Sequence, residues 1–482
     1  MDKATTQILG ATAVLGLLLS ASAIVVLPLA RDDQLAFALV LLTPVFLTAI
    51  YIVMQGVTGN RIFGALTAVA YIFIASAVFR VRNYDDKSID LQVAAKLAAF
   101  GMIMVTDFCF IIFAMARLAL PRLFFVWLLF FLALVGCSLY AVKPVFALTC
   151  SVLFLSCYLY TVYMTTWLSR VTAVEVMMCA ALALCVGSIF VYYAIPSIGV
   201  MEAWTPEAGF GEIGRMKGLT GSANGIGFIA AFALVLAILY YRSCSPFGKA
   251  AVLLLVPSAL VCLVLSNNRS SMVAVVAALW FRFVLQRNTG FRLVLTVAFT
   301  LVGAAALTFF SDEIFAALSR SGHASEITSA TGRSAIWAVV IEMWAKQPLH
   351  GYGYTSALAI LPLDPRLFQV AAHAHNMYLE LLFAGGLILL GLFLYAIWRT
   401  LRLMYRLGAV NEAALLMFFM LRGLTEATPF SGMVGYSGLA FALTISLVIA
   451  QLTAMRAPSG AKPVRAWAAT RGPAPVLQRS PS

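Results

Sequence analysis

Basic and imidazole side chains stand at the edges of separate hydrophobic runs in this 482-residue chain. They are Arg215 and Lys217 before one run, Arg269 at the start of another, Arg333 in a long polar interval, and His375 with Asn376 before a later run. A guanidinium group presents a fork of N–H donors that binds phosphate oxygens in pairs. A histidine titrates near neutral pH and can accept the proton of a hydroxyl group. These residue types indicate a phosphate-bearing ligand and a proton-transfer step.

Each of these residues also has a simpler explanation. An arginine at the end of a membrane helix often extends its charge to the lipid headgroups, and Asn376 could serve only as a helix N-cap. His373 and His375 are two residues apart, but no acidic residue follows them at ligand spacing, so we expect no metal site. Arg422 and Glu426 are four residues apart in a hydrophobic run, which predicts an ion pair that supports the site.

The hydropathy pattern determines the elements that must position these side chains. The chain is 63% hydrophobic and 11% charged, whereas soluble domains are nearer half apolar and a quarter charged. Apolar runs of membrane-spanning length recur from end to end, which predicts an all-α polytopic membrane protein with about 12–14 transmembrane helices. We predict helices at roughly 8–30, 34–56, 62–79, 91–116, 123–142, 145–168, 171–195, 220–241, 250–266, 271–286, 293–310, 377–398, 411–426 and 434–455, of which 411–426 is short enough to be re-entrant.

The distribution of charge predicts the orientation of these helices. With the N-terminus inside, 18 basic residues fall on the cytoplasmic side and 12 on the outer side, as the positive-inside rule requires. The net charge of +13 is therefore mostly topological, and no nucleic-acid partner is needed to explain it. We predict one transmembrane domain, 1–455, with outer loops at about 196–219 and 311–376, and a disordered basic cytoplasmic tail, 456–482.

The eight cysteines give no sign of a disulfide framework or of a structural zinc site. Seven lie in hydrophobic runs and Cys244 lies in a short loop. The sequence contains no C-x-x-C pair, which is the usual spacing for zinc ligands.

The longest outer loop has an order of its own. Thr331 and Gly332 can begin a helix that runs to about Lys346, with Trp337 and Trp344 on one face. We expect this amphipathic segment to lie at the membrane interface. A loop of this length in a membrane protein is usually functional, and we interpret it as a lid and part of an active site.

Four motifs occur in a fixed order along the second half of the chain. They are GRMKGLTGSANGIGF at 214–228, LSNNRSSMVAVVAAL at 265–279, GRSAIWAVVIEMWAKQPLHGYGY at 332–354 and HAHNMYLELLFAGG at 373–386. Together they resemble the O-antigen ligase and O-antigen polymerase superfamily of bacterial inner-membrane glycosyltransferases.

The resemblance implies a glycosyltransferase C-type fold with a long periplasmic loop and chemistry that needs neither metal nor cofactor. It implies an enzyme that takes a glycan from undecaprenyl diphosphate at the periplasmic face of the inner membrane and passes it to an acceptor hydroxyl. Arg215 and Arg333, with Lys217 and Arg269 beside them, would bind the diphosphate, and His375 would be the catalytic base. Asn376 and Arg422 would support the site.

The spacing of residues within these motifs favours one reaction of the superfamily, the ligase reaction. Arg215 and Leu219 have three residues between them, and His375 and Gly386 have ten, as in the ligases of the superfamily. Members of the superfamily often have a second glycine three residues after the position of Gly386, and Leu389 stands there in this chain. We therefore expect a ligase that acts on lipid A-core in lipopolysaccharide biosynthesis.

Other functions stay open from the sequence alone. A polysaccharide polymerase or a protein O-oligosaccharyltransferase of the same superfamily would carry the same motifs. A flippase for the lipid-linked glycan is the alternative from another class, although the two halves of the chain look unlike. A structural membrane scaffold would leave the arginines and the histidine unexplained.

Overall fold

The computed structural model describes most of the chain between Arg61 and Arg456. The described residues are 61–79, 90–113, 118–201, 214–285, 333–367 and 372–456, with isolated positions at 115, 290, 294 and 296. The helices predicted at 8–30, 34–56 and 293–310, the start of the loop helix at Thr331–Gly332, and the tail beyond Arg456 lie outside the described residues.

Twelve helices of thirteen residues or more make up the architecture of the described part. They are α1 Arg61–Ser76, α2 Leu91–Phe113, α3 Arg122–Ser138, α4 Pro144–Tyr163, α5 Arg170–Ala194, α6 Ala223–Tyr240, α7 Pro246–Ser266, α8 Arg269–Leu285, α9 Arg333–Lys346, α10 Met377–Leu407, α11 Val410–Arg422 and α12 Tyr436–Arg456. Among the described residues, seven helices are long and apolar enough to cross a membrane, and two shorter apolar ones accompany them. The chain is an all-α polytopic membrane protein, as predicted.

Helices α6 and α12 form the centre of the bundle. Both are apolar on every side, and most of their residues are buried, as expected for helices surrounded by other helices. Helix α6 packs against α5, α7 and α8, and α12 packs against α4 and α11. This core is extended by four aromatic side chains, Trp127 of α3, Phe393 of α10, Phe430 and Phe441. Their ring centroids lie 5.3–6.2 Å from those of neighbouring aromatic rings.

The two ends of the bundle carry different groups. At one end Arg170 pairs with Glu412, and Arg282 Nε donates a hydrogen bond to Asn411 Oδ1 over 2.9 Å. These residues all belong to the side for which the charge bias predicts a cytoplasmic location. The residues of the candidate site lie together at the other end, so the two predicted sides correspond to two ends of one bundle.

Helix α10 is broken near its start, which differs from the continuous helix predicted at 377–398. Gly385 and Gly386 have non-helical backbone angles, and Gly386 has a φ of +61°. Beyond this break the helix continues to Leu407. Leu389, which replaces the second glycine, is buried one turn after the break.

The segment Pro348–Gly353 packs along the break in α10. Tyr352 N–H donates to Phe383 O over 2.8 Å, and Leu387 N–H donates to Pro348 O over 2.9 Å. A methyl group added at Gly386 would lie 2.3 Å from the Leu349 carbonyl carbon. The break thus exposes backbone donors and acceptors that the Pro348–Gly353 segment satisfies.

Helix α9 packs on the protein with the face that we expected at the membrane interface. Val339 and Val340 are buried, and Ile336 and Met343 lie against the same small hydrophobic cluster. Trp344 Nε1 donates a hydrogen bond to Pro348 O over 3.1 Å. The apolar stripe of α9 therefore attaches the long loop to α10.

Candidate functional site

Arg215 belongs to the segment that precedes α6, and its side chain is buried against the turn between α7 and α8. Its Nε donates to Ser266 O over 2.8 Å, and its Nη2 lies 3.5 Å from both Asn224 Oδ1 and Asn267 O. The neighbouring backbone is fixed because Met216 N–H donates to Leu265 O over 2.9 Å. The Arg215 guanidinium group is thus held at the end of α7.

Asn224, in the first turn of α6, connects Arg215 to a second buried arginine. Its carbonyl oxygen accepts hydrogen bonds from Arg422 Nη2 at 3.3 Å and from Asn268 Nδ2 at 3.1 Å. Arg422 Nε also donates to Ser271 Oγ over 3.0 Å. Asn224 therefore binds two arginines that are 207 positions apart in the sequence.

The Arg422 side chain is almost fully enclosed. It also donates a hydrogen bond to Thr428 Oγ1, and its guanidinium carbon lies 4.7 Å from the ring centroid of Phe228. A cation over an aromatic face in a desolvated site is stabilised electrostatically. These contacts place Arg422 beside Asn224 and Ser271, and its supporting role stays a prediction.

Glu426 connects Arg333 and His375. Its Oε1 accepts a hydrogen bond from Arg333 Nη2 over 2.9 Å, and its Oε2 lies 3.8 Å from His375 Nδ1. Arg333 also donates to Thr425 O. The ion pair predicted between Arg422 and Glu426 is wrong, because α11 ends at Arg422 and Glu426 turns towards Arg333 instead.

The charges around Glu426 determine its ionisation. Burial alone raises the pKa of this carboxyl group, but His375, Arg333 and Arg422 together hold the pKa well below its usual range. Opposite charges within a few ångströms favour the ionised form. Glu426 is therefore an ionised carboxylate at neutral pH, 3% exposed, directed at the imidazole ring of His375.

His375 has a backbone conformation that few residues other than glycine adopt, with a φ of +47°. Such a conformation costs about 1–3 kcal/mol and persists only where the surroundings enforce it. The preceding residue is held on both sides, because Ala374 N–H donates to Glu380 Oε2 over 2.9 Å and Ala374 O accepts from Trp337 Nε1 over 3.0 Å. Helix α9 and the first turn of α10 together set the position of His375.

Asn376 fixes the other side of His375. Its Oδ1 accepts hydrogen bonds from Tyr378 N–H at 2.9 Å and Leu379 N–H at 3.0 Å, which makes it the N-cap of α10. Its Nδ2 donates to Leu424 O over 3.0 Å. The N-cap reading of Asn376 is thus correct, and the same side chain also attaches the His375 loop to the segment that carries Glu426.

The imidazole rings of His373 and His375 are in contact, with centroids 4.1 Å apart and planes tilted by 39°. Burial, the neighbouring His375 and Arg333 lower the pKa of His373 to about 3, against a smaller opposing effect of Glu426. His373 is therefore neutral at physiological pH.

The side chains of His373, His375 and Glu426 offer ligand atoms within 4.8 Å of one another. Glu426 is the acidic partner that the sequence near the histidines lacks, so our reason for expecting no metal site is wrong. Arg333, however, places a positive charge 2.9 Å from this carboxylate, and that charge opposes a divalent cation. The arrangement fits a carboxylate–imidazole pair better than a metal centre.

The two remaining basic candidates lie at the edges of this network. Lys217 is half-buried, and its backbone N–H donates to Gly199 O over 2.8 Å. Arg269 is the first residue of α8, where Asn268 acts as the N-cap by accepting from Ser271 N–H over 3.1 Å. Neither Asn224 nor Asn268 was predicted as a site residue, although Asn268 stands at a helix start, where asparagine is a recognised capping residue.

The described fold and site define a multi-pass membrane protein with three arginines, a carboxylate and a histidine at one end of its bundle, of which Arg215, Arg422 and Glu426 are buried and Arg333 and His375 are partly exposed. Residues 250–395 match the family described as O-antigen ligase, so this part of the chain is similar to the members of that family. The match includes Arg269, Arg333 and His375, whereas Arg215, Arg422 and Glu426 lie outside it. Members of this family are glycosyltransferase-like enzymes. No curated protein and no solved structure matches the chain.

Proposed function

We propose that this protein is a glycosyltransferase of the O-antigen ligase type. It moves a glycan from undecaprenyl diphosphate to an acceptor hydroxyl of lipid A-core, at the periplasmic face of the bacterial inner membrane. The observation that carries the proposal is the contact of one buried carboxylate, Glu426, with both Arg333 and His375. This contact links a phosphate-binding group to a general base within one site.

The proposed reaction is a displacement at the anomeric carbon of the donor sugar. The acceptor oxygen forms the new bond to this carbon, and the bond from the carbon to the diphosphate oxygen breaks with its electron pair. Arg215 and Arg333 stabilise the charge that develops on the diphosphate, because preorganised donors act strongly where water is excluded. Lys217 and Arg269 add positive charge at the edge of the site.

The proton of the acceptor hydroxyl passes to His375. With Nδ1 protonated and directed at Glu426, Nε2 carries the lone pair that accepts this proton. The ionised carboxylate then stabilises the imidazolium ion. The distance of 3.8 Å between His375 Nδ1 and Glu426 Oε2 is long for a hydrogen bond, and such contacts often tighten when substrate binds.

A transfer assay in membranes from cells that lack the gene tests the proposal. Lipid-linked glycan is supplied, and the product is read as a size ladder on a gel. We expect His375→Ala to lower the transfer rate at least about a hundredfold. Glu426→Gln, which keeps the shape but removes the charge, is also expected to lower it. His350→Gln is the matched control, because His350 is exposed and its ring lies against Tyr140 outside the network.

The size ladder separates the alternatives. If the protein is a ligase, attachment of glycan to lipid A-core depends on the gene, whereas the length of the glycan chains does not. If it is a polymerase, single repeat units are still attached when the gene is absent, but longer chains are not. Full transfer by His375→Ala at normal expression refutes the role of His375. Independence of both products from the gene refutes the enzyme and favours a flippase. Loss of transfer in EDTA that Mg²⁺ or Zn²⁺ restores would assign the two histidines and Glu426 to a metal.

A further inference from the structure

A second cationic site lies at the end of the bundle opposite the candidate active site. A cavity of about 370 Å³ is lined by Ile238, Leu239, Tyr241, Arg242 and Arg282. The first four residues end α6 and form the turn that follows it, and Arg282 stands in the last turn of α8. Both helices begin at the candidate active site, near Asn224 and Asn268, so this cavity is separated from it by the length of a membrane span.

The geometry of this cavity is fixed by Asn411. Its Oδ1 accepts a hydrogen bond from Arg282 Nε over 2.9 Å, while its Nδ2 donates to Leu239 O over 3.1 Å. One side chain of α11 thus orients Arg282 and joins it to the end of α6. A guanidinium group whose rotamer is already restricted loses less entropy when it binds an anion.

The charge around the cavity is positive. Lys249 adds a third cation, with its Nζ 6.0 Å from the ring centroid of Tyr241, and none of the five lining residues is acidic. Two carboxylates at this end of the bundle have other partners, since Glu412 pairs with Arg170 and Glu175 accepts a hydrogen bond from Ser245 N–H over 2.5 Å.

The lining of the cavity is also amphipathic. Ile238, near the end of α6, is 52% exposed, and Arg242 lies where the span ends. A ligand that fits such a site carries an anionic phosphate group at one end and a hydrocarbon chain at the other. Basic pockets between transmembrane helices on the cytoplasmic side bind anionic lipid headgroups in this way.

We propose that the cavity formed by Arg242, Arg282 and Tyr241 binds the phosphate headgroup of an anionic membrane phospholipid. Both arginines fall on the side that the charge bias predicts to be cytoplasmic, where anionic lipids attract basic residues. The lipid headgroup would hold the C-terminal ends of α6 and α8 together. The N-terminal ends of the same two helices lie at the candidate active site, near Asn224 and Asn268.

Native mass spectrometry and thermal denaturation of the full-length protein in detergent test this site. The probes are phosphatidylglycerol, cardiolipin, phosphatidylcholine and inorganic phosphate, each added at the same concentration. We expect the two anionic lipids to be retained and to raise the melting temperature, with little effect of phosphatidylcholine or inorganic phosphate. Arg242→Gln/Arg282→Gln should weaken retention of the anionic lipids about tenfold or more.

The matched control is Arg402→Gln/Arg406→Gln, which removes two exposed charges from the same side on α10. It should retain the anionic lipids as the wild type does. Arg242→Gln alone, at an exposed residue, tests the site without disturbing the contact between Arg282 and Asn411. Equal loss in the two double variants, or no loss in either, overturns the proposal. A melting-temperature shift with inorganic phosphate equal to that with cardiolipin overturns the lipid assignment and identifies a free-phosphate site.

Discussion

The indole Nε1 of Trp337 donates a hydrogen bond to the backbone carbonyl of Ala374, at 3.0 Å. Because Ala374 immediately precedes His375, this contact transmits the position of α9 to the proposed base. The His375 backbone has a φ of +47°, so it requires such restraint to keep its conformation.

Trp337→Phe keeps the aromatic ring and removes this donor. We expect kcat for glycan transfer to fall about tenfold, because a small displacement of a catalytic group is costly, while KM changes little. The comparison variant is Trp344→Phe on the same helix, whose Nε1 contacts Pro348 O instead. Equal losses in the two variants would show that the indole groups act only through the stability of α9.

Arg215→Lys tests whether the fork of guanidinium donors is required. A lysine cannot reproduce the contacts with Ser266 O, Asn224 Oδ1 and Asn267 O together. We expect the transfer rate to fall at least about tenfold, which is the loss of roughly one charged hydrogen bond. Arg366→Lys is the control, because Arg366 is exposed and pairs with Glu342 and Asp364 at the surface, where ion pairs contribute little.

Gly386→Ala tests the break in α10. The new methyl group would lie 2.3 Å from the Leu349 carbonyl carbon, at a φ of +61°. We expect the free energy of unfolding to fall by about 2 kcal/mol or more, measured by denaturation in detergent. Gly391→Ala, on the same helix with no atom within 4 Å of the new methyl group, should leave stability unchanged or slightly raised.

His373 predicts a dependence of stability on pH. Its pKa is lowered from 6.5 to about 3 in the folded protein, so the unfolded chain binds the proton more readily. The stabilisation from a neutral His373 is complete above pH 6.5 and is lost as the pH falls from 6.5 towards 3, by up to about 1.4 kcal/mol per pH unit.

Melting temperatures between pH 4.5 and 7.5 measure this effect. We expect His373→Asn to flatten the decline on the acid side relative to wild type. Glu426 does not interfere in this range, because its lowered pKa places its own loss of stability below the usual carboxyl value of 4.5. His350→Gln is the control and should show the same fall in melting temperature as wild type. If the melting temperature of His373→Asn falls as steeply with acid as that of these two proteins, other groups cause the acid sensitivity.

The helices were predictable because each apolar run is long and bounded by charge or proline. Predicted and observed bounds agree within four residues at most ends, as for Arg170–Ala194 and Arg269–Leu285. The break at Gly386 was not predicted, since the Pro348–Gly353 segment that packs along it lies 33 or more positions earlier in the chain.

The members of the site were easier to predict than their contacts. Arg215, Arg333 and His375 stand out because charge is rare in this chain. Asn224 is uncharged and gave no such signal, although it binds both Arg215 and Arg422. The partner of Glu426 was wrongly predicted, because spacing along a helix says nothing about where the helix ends.

The attachment of Pro348–Gly353 to α10 is made by peptide groups, through donors such as Tyr352 N–H and acceptors such as Phe383 O. This backbone contact requires glycine at Gly351 and Gly386, where no side chain fits. The side chains of Leu349 and His350 are exposed, and the backbone hydrogen bonds do not depend on them. Those two positions can therefore diversify freely while the path of the chain is preserved. The surface over the break in α10 can change its chemical character through substitution at these two positions, while the backbone contacts beneath it stay the same.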